Sequence, residues 1–89
     1  MAATEFTVSE LRTVLLEAAG TDEDVDLGGD ILDTDFDSLG YESLALLETA
    51  GRIEREYAIA LDEEALAEAR TPRQLIALVN VHLAAAQAA

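Results

Sequence analysis

The spacing of apolar residues after Ser43 constrains the fold of this chain more than any other feature. Four of them recur at intervals of four, three and four positions, which puts them on one face of an α-helix. The pattern predicts an amphipathic helix over residues 43–57 whose apolar face belongs to the core. The four residues of that face are Leu46, Ala50, Ile53 and Tyr57.

The N-terminal segment carries signals for both ends of a helix. Thr7 and Glu10 have the spacing of a capping box, in which the two side chains satisfy backbone N–H groups of the first turn. Apolar residues then recur at helical spacing, and Gly20 is a natural stop. The segment therefore predicts a first helix over residues 8–19.

Two further helix starts follow the central helix. Asp62 precedes acidic residues that suit the positive end of a helix dipole, and this predicts a short third helix. Thr71 before Pro72 is typical of an N-cap and a first helical residue. This pair predicts a last helix over residues 72–86.

These segments predict an all-α fold: a small four-helix bundle with three longer helices, one short helix 3 and a long loop between helices 1 and 2. The 89 residues suffice for one domain, residues 1–89. The loop covers residues 21–41, and loops of that length in small domains are usually functional or partly disordered. Five apolar residues are predicted to fix it to the core: Val25, Leu27, Ile31, Leu32 and Phe36.

Charge determines which class of partner the chain can bind. Nineteen acidic residues stand against five arginines, a formal net charge of −14. Nucleic acid is therefore excluded, because binding it requires basic residues that neutralise phosphates. Basic protein surfaces are favoured, since complementary fields speed encounter. Eleven acidic residues and no basic one lie between Arg12 and Arg52, so the field is concentrated there. The alternative is an acidic surface that serves solubility alone.

Several classes of site and location are disfavoured by what the sequence lacks. There is no cysteine, hence no disulfide framework and no thiolate metal site. Neither a signal peptide nor a membrane-spanning run is visible, and we expect a cytoplasmic monomer without membrane contact. His82 is the single histidine, and no nucleophile pattern accompanies it, so we expect no enzyme.

The acidic run at residues 22–26 has the opening of a calcium-binding loop. The match then fails, because Leu27 stands where such a loop needs glycine and Asp33 where it needs glutamate. We therefore predict no metal site.

Ser43 stands at the predicted start of the central helix. A helix N-terminus presents unpaired backbone N–H groups and the positive end of the helix dipole, which together favour a phosphodiester. Serine is also common as a plain N-cap. The local pattern alone favours the N-cap role over that of a serine that carries a phosphodiester.

The sequence Gly-Tyr-Glu-Ser-Leu at 40–44, followed by Ala-Leu-Leu-Glu at 45–48, resembles the phosphopantetheine attachment motif of acyl carrier proteins. The Gly-Tyr lead-in and the Leu-Leu-Glu-Thr-Ala run resemble the free-standing carriers of aromatic (type II) polyketide synthases more than those of fatty-acid synthesis. The succession of helices and the long loop extend the resemblance over most of the chain. The family has Asp before the serine, where this chain has Glu42.

The resemblance implies a carrier with 4'-phosphopantetheine attached covalently to Ser43. It would hold malonyl and growing poly-β-ketone intermediates as thioesters for aromatic polyketide (antibiotic) biosynthesis. The implied partners are a phosphopantetheinyl transferase, a malonyl transferase, the ketosynthase/chain-length factor, a ketoreductase and cyclases. The alternatives are an acyl carrier for fatty-acid or another pathway, and an unmodified acidic interaction module.

Two groups of residues around the implied attachment site are predicted to act with it. Partner docking is assigned to three residues at the start of the central helix: Glu42, Leu44 and Glu48. Candidate contacts to the cargo are Arg12, Leu46, Arg73 and Asn80. Arg73 and Asn80 are seven positions apart on the last helix, and we expect them to hydrogen-bond carbonyl oxygens of the chain.

Ser38 competes with Ser43 as the attachment site, because Asp-Ser-Leu at 37–39 matches the usual form of the motif better. A helix that began there would carry Gly40 in its first turn, which is unfavourable. The apolar pattern that follows Ser43 is also cleaner. We therefore predict attachment at Ser43.

Overall fold

A computed structural model describes residues 5–19 and 31–88 of the chain. These residues form four helices and no strand, so the predicted all-α four-helix bundle is confirmed. None of the helices in this part of the chain is long and apolar enough to cross a membrane. The helices are α1 Val8–Ala19, α2 Ser43–Tyr57, α3 Glu63–Glu68 and α4 Pro72–Ala88.

The helix starts lie where the capping signals predicted them. The Glu10 N–H donates to Thr7 Oγ1 over 3.4 Å, and the Thr7 hydroxyl lies 3.2 Å from Glu10 Oε1. Asp62 Oδ1 accepts from the Glu64 N–H at 3.1 Å, which caps α3. At the start of α4, Thr71 Oγ1 accepts from the N–H three residues further on, over 3.3 Å. α4 ends at Ala88 rather than at residue 86.

The core lies where α1 packs on α2 and α4. Leu15, Ile53 and Val79 come from these three helices and are fully buried. Phe6, which precedes α1, closes one end of this core. Its ring meets the Tyr57 ring edge-on at 5.5 Å. The core residues are Phe6, Leu11, Val14, Leu15, Ile31, Phe36, Leu39, Tyr41, Ala50, Ile53, Leu61, Leu66, Ala69, Leu75, Val79 and Leu83.

A hydrogen bond between α1 and α2 supports this packing. The Tyr57 hydroxyl donates to Glu10 Oε2 at 2.6 Å. Partial burial, and then this hydrogen bond, raise the pKa of Tyr57 above its usual value. Tyr57 therefore remains protonated and a donor at neutral pH, and the last turn of α2 is tied to the first turn of α1.

The described part of the long loop is fixed to the protein at several points. Ile31 and Phe36 are buried, as predicted, and Leu32 is half-buried. Val25 and Leu27 lie outside the described residues. Two loop residues that the pattern did not single out, Leu39 and Tyr41, are buried as well.

Backbone hydrogen bonds tie this loop to the connection between α3 and α4. The Phe36 N–H donates to the Arg70 carbonyl at 2.9 Å, and the Arg73 N–H donates to the Leu32 carbonyl at 2.9 Å. The chain then turns into α2 through Gly40, whose φ of 87° lies in the region that glycine tolerates best. The loop is thereby held beside the start of α2.

Candidate functional site

The start of α2 places Ser43 at the first helical position. Glu42 precedes it in an extended conformation (φ −82°, ψ 170°), and the Leu46 N–H donates to the Glu42 carbonyl at 3.0 Å. The N-cap is therefore Glu42, and the interpretation of Ser43 as a plain N-cap is wrong. The Glu42 side chain makes no capping hydrogen bond. This agrees with its extra methylene relative to Asp, a preferred N-cap residue.

The surroundings of Ser43 favour a bound anion. The first helical hydrogen bond of α2 is donated by the Leu46 N–H. The N–H groups of residues 43–45 therefore have no acceptor within the helix. These groups and the helix dipole provide partial positive charge near Ser43. Ser43 is exposed, and a reagent can therefore reach it.

Ser43 opens onto a cleft of about 510 Å³ between α2, α3 and the loop. This volume is within the range of about 300–1,000 Å³ that is usual for small-molecule sites. Its apolar lining consists of Phe36, Leu46, Leu47, Leu66, Ala67 and Ala69, and its charged lining of Asp35, Asp37, Glu63 and Arg70.

Helix α3 is the weakest wall of this cleft. It has six residues, and Leu66 is its one buried residue. Leu66 also lines the cleft. Because so little apolar surface holds α3, we expect it to open at lower free energy than the wall formed by α2.

The three predicted docking residues lie close to Ser43 on the surface. Glu42, Leu44 and Glu48 are all exposed, and the Leu44 side chain is 66% exposed. Glu48 and Arg52 are four positions apart on α2, a spacing that favours an ion pair, but the structure pairs Arg52 with α1 instead. Arg52 Nε lies 3.7 Å from Glu17 Oε1 of α1, because helix packing brings α1 beside that face of α2.

Of the four candidate cargo contacts, the structure places Leu46 in the lining of the cleft. Arg73 lies elsewhere and makes a two-point contact with Asp33, from Nε to Oδ1 at 2.8 Å and from Nη2 to Oδ2 at 3.1 Å. The hydrogen bond from Arg73 lowers the pKa of the Asp33 carboxyl. Arg12, half-buried on α1, is also outside the cleft lining.

Asn80 holds the segment that precedes α1. Its Oδ1 accepts from the Phe6 N–H at 2.8 Å, and its Nδ2 donates to the Phe6 carbonyl at 2.9 Å. Both polar groups of the Asn80 side chain are therefore engaged at a site outside the cleft lining. Spacing on α4 predicted the face of Asn80 but not this partner.

We expect Asn80→Ala to lower the free energy of unfolding of the unloaded protein by about 1–3 kcal/mol, because both backbone groups of Phe6 lose their partner. Asn80→Asp keeps an acceptor for the Phe6 N–H, so its free energy of unfolding should fall by less. Urea denaturation measures both. Val81→Ala, an exposed position on the same helix, is the control. Unchanged stability of Asn80→Ala would contradict the structural role of Asn80.

Arg70 and Leu66 are cleft residues that the sequence analysis missed. Leu66 had a usable signal, because it is the one large apolar residue in the predicted third helix. Arg70 had none, since it lies between two helices and its place in the cleft depends on how the loop folds back. The acidic run at 22–26 lies outside the described residues.

Comparison with known proteins identifies the family. The phosphopantetheine attachment site family matches residues 9–79. The monensin polyketide synthase acyl carrier protein of Streptomyces virginiae is 58% identical over 84 residues, which are 94% of this chain and 94% of that protein. The chain belongs to the acyl carrier proteins of type II polyketide synthases.

Other members of the family agree with this assignment. The oxytetracycline polyketide synthase acyl carrier protein of Streptomyces rimosus is 53% identical over 83 residues, 93% of this chain and 87% of that protein. The solution structure of the 3,7-dioxo-octyl actinorhodin acyl carrier protein from Streptomyces coelicolor matches with a TM-score of 0.86 at 44% identity. The match covers 96% of this chain and 99% of that chain.

Membership confirms three predictions. The chain is a polyketide synthase acyl carrier protein, its cofactor is 4'-phosphopantetheine, and it is a carrier rather than a catalyst. It works with other components of a synthase. The described residues fit the cofactor, since an exposed serine stands at a helix N-terminus beside a cleft with both apolar and charged lining residues.

Proposed function

We propose that Ser43 carries the 4'-phosphopantetheine arm, and that its cargo is malonyl and growing poly-β-ketone intermediates of aromatic polyketide biosynthesis. The observation that carries the proposal is the position of Ser43. It is exposed, it is the first residue of α2, and it opens onto the cleft. These properties are what an attachment residue needs: access for a transferase, a site for the phosphate and space for the cargo.

The chemistry at Ser43 is a substitution at phosphorus. The Ser43 oxygen loses its proton and forms a bond to the phosphorus of the phosphopantetheine moiety of coenzyme A, and adenosine 3',5'-bisphosphate leaves. The N–H groups of residues 43–45 and the helix dipole stabilise the resulting phosphodiester. The bound group supplies a terminal thiol that holds acyl groups as thioesters, a function the chain cannot supply because it has no cysteine.

Ser38 lacks two of these properties, the site for the phosphate and the space for the cargo. It lies in the turn before α2, where the Gly40 N–H donates to the Asp37 carbonyl at 3.1 Å. It is exposed but stands at no helix start, and it is absent from the residues that line the cleft. Attachment there would leave the phosphate without the helix dipole and the cargo outside the cleft.

The apolar wall of the cleft shields cargo from water. Phe36 and Leu66 are buried, and Leu46 is half-buried at the same cleft. An acyl chain that enters between them removes apolar surface from water, which stabilises the closed state by roughly 25 cal/mol per Å² buried. Movement of α3 would admit and release the chain.

We assign partner docking to the surface formed by Glu42, Leu44 and Glu48. An exposed leucine with two carboxylates nearby suits a partner with an apolar pocket and a basic rim. The proposed partners are the phosphopantetheinyl transferase, the malonyl transferase, the ketosynthase/chain-length factor, a ketoreductase and cyclases. All of them must approach Ser43, and this surface adjoins it.

The attachment proposal is tested on the native chain. We expect incubation with coenzyme A and a broad-specificity phosphopantetheinyl transferase to add one phosphopantetheine, as measured by intact mass. Peptide mapping should place it on Ser43. Addition at Ser38 would retain the carrier function and refute the site, whereas a chain that no transferase modifies would refute the proposal.

Docking is tested by charge reversal at Glu48. We expect Glu48→Lys to lower kcat/KM for malonyl transfer to the loaded protein by roughly three- to tenfold at low salt, because a carboxylate that pairs with a basic partner surface is lost. The effect should shrink as salt rises. Quenched time-course assays of malonyl loading at two ionic strengths measure kcat/KM and its dependence on salt.

Glu56→Lys is the matched control for this reversal. Glu56 is exposed on the same helix, and thirteen residues from Ser43 correspond to about 20 Å along the axis. The two variants have the same net charge. If both slow malonyl transfer equally, only the overall charge matters and the docking surface is wrongly placed.

A further inference from the structure

One side chain in the cleft can donate a hydrogen bond once Ser43 is modified. Six of the lining residues are apolar and three are carboxylates, which only accept when ionised. Ser43 loses its hydroxyl proton when it is esterified. The remaining residue is Arg70, whose guanidinium has five N–H donors and no acceptor.

Four backbone N–H groups of the apolar lining are already engaged in hydrogen bonds. The Leu46 N–H donates to the Glu42 carbonyl, and the Leu66 N–H donates to the Asp62 carbonyl. In the same way, the N–H groups of Phe36 and Ala69 are used by other carbonyls. These bonds hold the walls together, and Arg70 is the side-chain donor that remains in the lining.

Arg70 projects from a fixed point of the backbone. Its N–H donates to Gln74 Oε1 at 2.8 Å, and its carbonyl accepts from the Phe36 N–H at 2.9 Å. Within the described parts of the chain, no carboxylate forms an ion pair with Arg70. The guanidinium is therefore available, while its base is tied to both α4 and the loop.

We propose that Arg70 is a specificity-determining residue that donates a hydrogen bond to a carbonyl oxygen of the acyl chain. This inference rests on the proposed attachment at Ser43 and deepens it. A saturated chain needs only the apolar wall of the cleft. A β-keto chain must also remove its carbonyl groups from water, which is costly unless a donor replaces the water. Arg70 supplies that donor and so favours oxygenated cargo.

The experiment compares two cargoes on one protein. The arm at Ser43 is loaded with a β-keto chain or a saturated chain of equal length, both joined by a non-hydrolysable link. NMR follows the Nε–Hε signal of Arg70 and the amide signals of Leu66 and Ala67. We expect the Arg70 signal to shift with the β-keto chain and to stay in place with the saturated chain.

Substitution tests the same point. We expect Arg70→Met to lower the occupancy of the cleft by the β-keto chain about three- to tenfold and to leave that of the saturated chain unchanged. Arg70→Lys keeps the charge but not the planar guanidinium with its several donors. We expect its occupancy by the β-keto chain to lie between those of Arg70→Met and the native chain. Arg55→Met is the matched control, because Arg55 is an exposed arginine outside the cleft lining.

The outcomes separate the two proposals. If Arg70→Met lowered the occupancy of the cleft equally for the β-keto and the saturated chain, Arg70 would only support the packing of the cleft. That result would overturn the inference. Unchanged occupancy of both chains would overturn it as well. If the arm is loaded normally in these cases, attachment at Ser43 stands. If no arm is attached to Ser43, the proposed function fails and the inference with it.

Discussion

We expect Ser43→Ala to abolish attachment of phosphopantetheine and therefore all acyl loading, while Ser38→Ala is modified like the native chain. Alanine has no oxygen with which to form the bond to phosphorus. Ser38 does not take over, because it lies in a turn rather than at a helix N-terminus. Intact mass after treatment with coenzyme A and a transferase measures the result, and the expected loss is to background.

The Ser43→Ala variant should remain folded, so that its loss of loading reports chemistry alone. Ser43 is exposed, and its side chain makes no hydrogen bond within the described part of the chain. Alanine is also the better helix former. We therefore expect the free energy of unfolding to change by less than about 0.5 kcal/mol in urea denaturation. Residual modification of this variant at Ser38 would contradict the assignment of the site.

The largest effect on stability is expected for Phe36→Ala. Phe36 is 2% exposed, belongs to the core and lines the cleft. Loss of a buried phenylalanine ring costs about 3–5 kcal/mol, because transfer free energy is lost and a cavity remains. Small domains have only about 5–15 kcal/mol in total. Urea denaturation should show a large drop in the midpoint.

Two further variants make this result interpretable. Leu44→Ala removes an apolar side chain that is 66% exposed, and it should change stability by less than about 0.5 kcal/mol. Phe36→Leu keeps most of the apolar volume and should lose about 1–2 kcal/mol while the protein stays folded and loadable. If Phe36→Ala were as stable as Leu44→Ala, Phe36 would not anchor the loop.

The starts of the helices, including Ser43 as the first residue of α2, could be predicted because their signals are local. Thr7, Asp62 and Thr71 each cap a helix through hydrogen bonds to residues two or three positions away. The apolar residues of α2 likewise recur within one segment. The helix that they predict begins at Ser43. Because the interacting residues are close in sequence, these features can be predicted without knowledge of the tertiary structure.

The partners of the polar side chains could not be predicted, because they come from distant parts of the chain. Spacing put Arg73 and Asn80 on one side of α4. Asp33, however, is 40 residues from Arg73, and Phe6 is 74 residues from Asn80. These polar side chains bond whichever group the packing of loop and helices brings near, so sequence spacing predicted their face of α4 but not their hydrogen-bond partners.

The cleft itself was decided by the tertiary structure. Ser43 was fixed by the sequence as the start of α2. The wall opposite it exists because the Phe36 N–H bonds the Arg70 carbonyl and so holds the loop against the α3–α4 connection. Helical periodicity describes one helix at a time and carries no information about how a loop closes over it. The sequence determined the helices and the position of Ser43 at the start of α2; the closing of the loop determined what lies beside that residue.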